Sequence, residues 1–185
     1  MPFQPTPIPD LIIFEPKVFE DSRGYFFEAY NAETFQREGV DIKFVQDNQS
    51  KSSYGVIRGL HYQLNPYAQA KLIRVLEGGI LDIAVDIRKG SPTFGQSYSI
   101  ELTADNRKQL LIPVGFAHGF SVLSETAIVL YKCDQVYNKE SEGGIRYDDP
   151  LLCINWQIER GKEIISEKDL QLPPFSHCKN NFEYR

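Results

Sequence analysis

The sequence predicts an all-β fold of antiparallel strands, closed as a sandwich or barrel, with a few short flanking helices. Three observations carry this. Twelve Phe and ten Tyr stand among 185 residues, and aromatic side chains favour sheets. Short apolar runs recur at close spacing along most of the chain. Turn signals separate them at Glu77-Gly78-Gly79, Lys89-Gly90-Ser91-Pro92 and Val114-Gly115. This pattern suits a sandwich or barrel rather than an α/β fold.

The first ten residues contain four prolines, which predicts an extended arm or an edge strand. Strand-like runs follow at Leu11 to Phe14, Val18 to Phe19 and Tyr25 to Tyr30, with Asp21-Ser22-Arg23-Gly24 as a hairpin turn. Asn31 is a good N-cap, Glu33 lies in the first turn and Gly39 is a good stop, so a short helix is expected between them. From residue 42 the pattern is mostly strands. Leu81, Ile83, Val85 and Ile87 share one face, and Asp82, Ala84 and Asp86 the other. Tyr98, Ile100 and Leu102 alternate with Ser99, Glu101 and Thr103. Leu110 to Pro113, Phe120 to Leu123 and Ala127 to Cys133 complete the set, and a helical turn is expected from Ser166. No repeat or linker divides the chain, so one domain over 1–185 is expected, ending in a tail at 173–185.

Composition excludes several function classes. At 42% hydrophobic and 24% charged residues, the chain is an ordinary folded protein and not a disordered one. The net charge is −5 and no basic run occurs, so a nucleic-acid duplex is not an expected partner. A local cluster of Arg and Lys can still hold a small anion. The N-terminal segment lacks the charge and apolar run of a signal peptide. The stretch Leu110 to Ser124 is too short and broken to span a membrane. Cys133, Cys153 and Cys178 have no metal-binding spacing and fit mostly buried, reduced thiols in a cytoplasm.

Two of the three histidines lie in glycine-flanked segments, Arg58-Gly59-Leu60-His61-Tyr62-Gln63 and Pro113-Val114-Gly115-Phe116-Ala117-His118-Gly119-Phe120. Glycine at such places lets a ligand or another backbone approach closely. Pro113-x-Gly115-x-x-His118 resembles the second metal-binding motif of cupin barrels, which implies a double-stranded β-helix, or jelly roll. The first cupin motif lacks its second His and its Glu here. Two histidines without a carboxylate are a poor metal shell, so the barrel is expected and a bound metal is not.

Nine segments in order resemble the dTDP-4-dehydrorhamnose 3,5-epimerase family. They are Asp21 to Glu28, Phe44 to Ser50, Ile57 to Gln63, Gln69 to Leu76, Asp82 to Arg88, 112–120, Val129 to Cys133, Gly144 to Pro150 and Ile165 to Asp169. The resemblance implies a cofactor-free and metal-free enzyme that inverts two carbons flanking the ketone of a dTDP-4-keto-6-deoxy sugar. Such chemistry needs a base on one ring face, an acid on the other and a stabiliser for the enolate oxygen.

By this resemblance His61 is the base and Asp169 its carboxylate partner, although Ser166-Glu167-Lys168-Asp169 also has the spacing of a helix capping box. Lys71 stabilises the oxyanion, Tyr131 is the acid, and His118 contacts the sugar near O4. Arg58 and Arg23 bind the nucleotide and its diphosphate. Gln46, Asn48 and Glu28 hydrogen-bond the nucleotide, Tyr137 stacks on thymine, and Glu142 and Lys168 make further contacts. The resemblance also implies a homodimer that exchanges the arm and early strands of 1–30, with Arg23 or Glu28 reaching the partner's site. Three rivals remain: a single-centre epimerase, a metal-dependent cupin enzyme and a non-catalytic sugar-nucleotide binder.

Overall fold

The computed structural model describes residues 2–184. In chain order its strands are β1 (Phe3–Pro5), β2 (Ile12–Phe14), β3 (Val18–Asp21), β4 (Gly24–Phe27), β5 (Gln46–Ser53), β6 (Ile57–Gln63), β7 (Lys71–Glu77), β8 (Gly79–Asp86), β9 (Ser97–Thr103), β10 (Gln109–Ile112), β11 (Phe116–Val122), β12 (Thr126–Cys133) and β13 (Glu142–Gly144). Two short helices are α1 (Ala32–Arg37) and α2 (Glu167–Leu170). One sheet has the order β1-β2-β10-β7-β12-β5, a second has β13-β6-β11-β8-β9, and β3-β4 form a separate ribbon. Neighbours in both sheets pair antiparallel, the arrangement of a cupin-like jelly roll.

The two sheets face each other across one apolar interior. Ile73 and Val75 of β7 and Ala127 and Val129 of β12 meet Ile80 and Ala84 of β8 and Phe116, Phe120 and Val122 of β11. The outer face of the second sheet carries Leu60, Tyr62, Leu81, Ile83 and Val85, and is covered by Trp156, Leu152 and Phe182 from the C-terminal region. The outer face of the first carries Phe14, Leu72 and Leu111 under Phe35 of α1. The alternation along β8 is therefore real, but both of its faces are buried.

Asn31 caps α1, its side chain accepting from the Glu33 and Thr34 amides, and the helix stops before Gly39. The proline-rich start is an edge hairpin on the first sheet, and Ile8, Leu11, Ile13 and Phe14 are buried in the chain's own core. The ribbon β3-β4 differs: Phe19, Tyr25 and Phe26 are 54%, 59% and 70% exposed. The tail, unreadable from sequence, packs through Phe182 and through Tyr62, whose hydroxyl donates to the Lys179 carbonyl at 2.5 Å. Arg88 joins the two chain ends: it pairs with Asp86 and Asp10 and stacks on Phe116 and Tyr184. All three cysteines are free, but only Cys133 is buried; Cys153 is exposed, which corrects the expectation of mostly buried thiols. His118, expected ahead of a strand beginning at Phe120, lies inside β11, which starts at Phe116.

One irregularity sets the site. His118 pairs with His61, and Phe120 pairs with Arg58. Gly119 alone on β11 thus opposes both Gly59 and Leu60 on β6, a two-against-one bulge. Side chains alternate along a strand, so residues 58 and 61 would normally face opposite ways. The extra residue restores the phase and turns Arg58 and His61 toward the same cleft. Only glycine fits at the crossing. Gly59 has φ +116°, and a Cβ there would stand 2.6 Å from the Gly119 Cα. Gly59→Ala is expected to cost about 3 kcal/mol or more, because a steric clash adds to backbone strain. Gly90→Ala, at φ +83° with open space around it, is expected to cost only the conformational term of about 1–2 kcal/mol. Urea unfolding of the two variants checks the difference.

Candidate active site

The cleft lies between the sheets, where the apolar interior gives way to polar side chains. Its main lobe, about 550 Å³, is lined by Arg58, His61, Lys71, His118, Tyr131 and Asp169 among others. A second lobe of about 200 Å³ carries Gln46, Asn48, Gln63, Tyr137 and Glu142. The lobes share His61, Lys71 and Tyr131, so they form one groove. His61 on β6 and His118 on β11 come from one sheet; Lys71 on β7 and Tyr131 on β12 come from the other. A ring held between them is flanked by imidazoles on one side and by an ammonium and a phenol on the other.

His61 Nε2 lies 2.7 Å from Asp169 Oδ1. Asp169 is buried, which alone would raise its pKa, but its bonds to His61, the Gly59 amide and Ser166 outweigh that and hold it below the usual carboxylate range. An ionised carboxylate only accepts, so Nε2 carries a proton, and in the neutral imidazole Nδ1 is the nitrogen with the lone pair. The helix-cap reading is half right. The Asp169 amide donates to Ser166 Oγ at 3.1 Å, yet its carboxylate goes to the histidine.

A second pair stands beside the first. His118 Nε2 lies 2.7 Å from Asp82 Oδ1, and both residues are buried. Burial lowers the His118 pKa, Lys71 and His61 push the same way, and Asp82 opposes them without prevailing. His118 therefore favours the neutral imidazole. The sequence reading missed Asp82 as a functional residue. A signal existed: Asp82 faces the same way as Ala84, and a carboxylate buried at mid-strand needs a partner.

Lys71 sits where β7 begins, opposite Cys133. Desolvation in the cleft lowers its pKa, and Cys133, Asp82 and Glu142 raise it less than burial depresses it. Tyr131 shifts the other way: burial raises its phenol above the ordinary value, against a smaller pull from Arg58. The phenol thus keeps its proton, and the ammonium gives one up more readily than an exposed lysine would.

The outer lobe assembles most of the expected nucleotide contacts. Gln46 and Asn48 share a face of β5 and hydrogen-bond at 3.0 Å. Asp47, between them, turns outward to Lys132. The Tyr137 amide donates to Gln46 Oε1, its hydroxyl donates to Glu142, and Lys168 pairs with Glu142 at 2.7 Å. Arg58 stands exposed at the mouth, its Nε donating to Ser52 Oγ. Two expected residues are elsewhere. Arg23 pairs with Asp21 on the exposed ribbon, and Glu28 accepts from Asn31. Neither lines the groove of its own chain. Among the described residues no three His, Cys, Asp or Glu side chains group as metal ligands would.

The sequence and the fold match known proteins over nearly the whole chain. The family model described as dTDP-4-dehydrorhamnose 3,5-epimerase matches residues 5–177. A dTDP-4-dehydrorhamnose 3,5-epimerase of Shigella flexneri is 52% identical over 166 residues, 89% of this chain and 91% of that one. The crystal structure of the enzyme of that name from Elizabethkingia anophelis is 54% identical, with a TM-score of 0.90, covering 94% of this chain and 96% of that one. A Legionella pneumophila dTDP-6-deoxy-D-glucose-3,5-epimerase, solved in complex with dTDP-4-keto-L-rhamnose, is 45% identical with a TM-score of 0.91, covering 95% and 93%. With its two sheets, its paired histidines and this similarity over nearly its whole length, the chain belongs to the dTDP-4-dehydrorhamnose 3,5-epimerase family.

Proposed function

We propose that this enzyme converts dTDP-4-dehydro-6-deoxy-D-glucose to dTDP-4-dehydro-L-rhamnose by inverting C3 and C5. The observation that carries the mechanism is the placement of His61 and Tyr131 on opposite sheets across one cleft. The C4 ketone acidifies the hydrogens on both neighbouring carbons. His61 takes one as a proton, and the C–H electron pair moves into the ring and onto O4. The Lys71 ammonium and His118 face that developing oxyanion. Tyr131 then donates its proton to the same carbon from the other side. One proton leaves and one arrives, so the sugar keeps its composition and changes only its configuration. His61 ends as imidazolium and Tyr131 as phenolate, and exchange with water resets both. Neither a metal nor a redox cofactor has a step to perform.

The outer lobe holds the nucleotide. Arg58 and Lys168 offer charge to the diphosphate, Gln46 and Asn48 offer hydrogen bonds, and Tyr137 offers a ring for thymine. Glu142 holds Tyr137 and Lys168 together.

The working unit is a homodimer in the cytoplasm. Phe19, Tyr25 and Phe26 leave an apolar ribbon uncovered beside Arg23, which supports exchange of this ribbon and delivery of Arg23 and Glu28 to the partner's groove. Free thiols suit a reducing compartment, and among the described residues no helix is long and apolar enough to cross a membrane.

Proton NMR of the substrate with enzyme in D₂O and EDTA is the central test. Deuterium at both C3 and C5 is expected; deuterium at one carbon would replace this reading with a single-centre epimerase, and none would remove the epimerase assignment. His61→Ala is expected to abolish exchange at both carbons. Tyr131→Phe is expected to retain exchange and lose net inversion; equal loss of both would contradict the split between base and acid.

The pH profile follows from Lys71. Its pKa is lowered by burial, so its charge and the oxyanion stabilisation are lost as pH rises through a value below that of an ordinary lysine. The alkaline limb of kcat/KM is expected to begin below about pH 10, the ordinary lysine range. Lys71→Arg should move that limb upward, since guanidinium keeps its proton; an unmoved limb would assign it to another group. For the assembly, light scattering should give the mass of two chains, and Phe26→Asp should shift it toward one chain with loss of activity.

A further inference from the structure

The geometry points to Gln63 as a positioning residue for nucleobase recognition: it clasps the segment carrying Tyr137 and sets that ring relative to the catalytic base. The inference rests on the reading of Tyr137 as the thymine-stacking residue. Gln63 ends β6, is only 4% exposed and borders the outer lobe. Its Nε2 donates to the Tyr67 carbonyl at 2.6 Å and to the Val136 carbonyl at 3.2 Å. Its Oε1 accepts from the Asn138 amide at 2.7 Å. Two of these three bonds grip the residues on either side of Tyr137.

A primary amide has two N–H donors, and both are spent on backbone. Gln63 therefore has no donor left for a ligand, although it stands at the groove wall. Its work is done through the loop. That loop needs holding: residues 136–138 have no regular structure, and Tyr137 is 55% exposed. Other bonds secure its ends, from Gln69 Nε2 to the Gln135 carbonyl and from the Leu64 amide to the Ser141 carbonyl. Gln63 secures the middle, with Gln46 taking the Tyr137 amide.

The choice of strand matters. Gln63 lies two residues beyond His61, on the same face of β6, a separation of about 6.6–6.8 Å along the strand. One rigid element thus fixes both the base that takes the proton and the clasp that places the thymine platform. A ring held in place before the nucleotide arrives spares the complex the cost of ordering that loop, so the clasp acts on affinity.

The test uses the full chain, with Gln63→Leu, Gln63→Glu, Tyr137→Ala and the double variant Gln63→Leu/Tyr137→Ala. dTDP affinity is measured by calorimetry, and kcat and KM with dTDP-4-keto-6-deoxyglucose. Gln63→Leu is expected to raise both the dTDP Kd and KM by about tenfold, the effect of roughly 1.4 kcal/mol, while kcat stays within about twofold. The double variant is expected to bind no worse than Tyr137→Ala alone, because Gln63 acts through Tyr137. Multiplying effects, unchanged dTDP binding, or a fall in kcat at constant KM would each overturn the inference. Gln63→Glu keeps the volume and the acceptor for Asn138, so it reports even if the leucine variant fails to fold. Amide exchange at Asn138 adds a test on the unaltered protein: slow exchange is expected, and fast exchange refutes the clasp. If the wild type neither binds dTDP nor exchanges substrate hydrogens, the epimerase reading fails, while the exchange rate at Asn138 still decides the clasp.

Discussion

The crossing of β6 and β11 at Gly59 and Gly119 is the constraint on which the rest of the site depends. Strand geometry gives no way for residues three apart to share a face. The bulge supplies the missing residue, and two glycines let the backbones come close enough to keep pairing around it. Arg58 and His61 then open on the same cleft, and His61 sits directly across from His118. Each histidine is fixed from a different direction. Asp169 reaches His61 from a four-residue helix late in the chain, while Asp82 reaches His118 from the next strand of the same sheet.

Placing these groups beside a packed apolar interior decides their charge states. Desolvation works against every charged form in the cleft. It favours neutral His118 and protonated Tyr131, and it makes the Lys71 ammonium easier to discharge. Asp169 resists because its hydrogen bonds outweigh its burial. Asp169, the carboxylate on the main lobe's lining, is held by His61, and around it stand the cations Arg58, Lys71 and Lys168, the Tyr131 phenol and the two imidazoles. That is the environment an enolate oxygen requires, since charge developing there meets dipoles already oriented.

The fold was legible in the sequence where alternation was undisturbed, as in β8, β9 and β12, and where caps were explicit, as at Asn31 and Gly39. It was less legible in β5, where Gln46-Asp47-Asn48-Gln49-Ser50-Lys51-Ser52-Ser53 shows no apolar alternation because one face meets solvent and the other lines a polar groove. β6 was hidden by its own bulge, which breaks the period. Asp82 looked like half of an ordinary alternation because the sequence does not reveal that both faces of β8 are covered. The roles of His61, Lys71, Tyr131 and Asp169 came from resemblance, and the geometry then brought them to one cleft. Arg23 and Glu28 could not be placed by any single-chain argument, since the ribbon that carries them is not covered by its own core.

Chemistry and recognition are built on different material in this molecule. The groups assigned to proton transfer and to O4 project from sheet strands whose backbones are locked by pairing on both sides: β6, β7, β11 and β12 each lie between two neighbours. Most groups assigned to the nucleotide sit on the sheet edges β5 and β13 and on the loop of residues 136–138, while Arg58 and Lys168 share β6 and α2 with His61 and Asp169. A catalytic hydrogen bond tolerates little displacement, so interior strands suit it. Edges and loops accept substitution at lower structural cost, so they suit the choice of nucleotide. The same division leaves nucleotide capture to the few side chains that tie the loop back to the sheet, because a ring already held in place costs less to stack on than one that must be ordered.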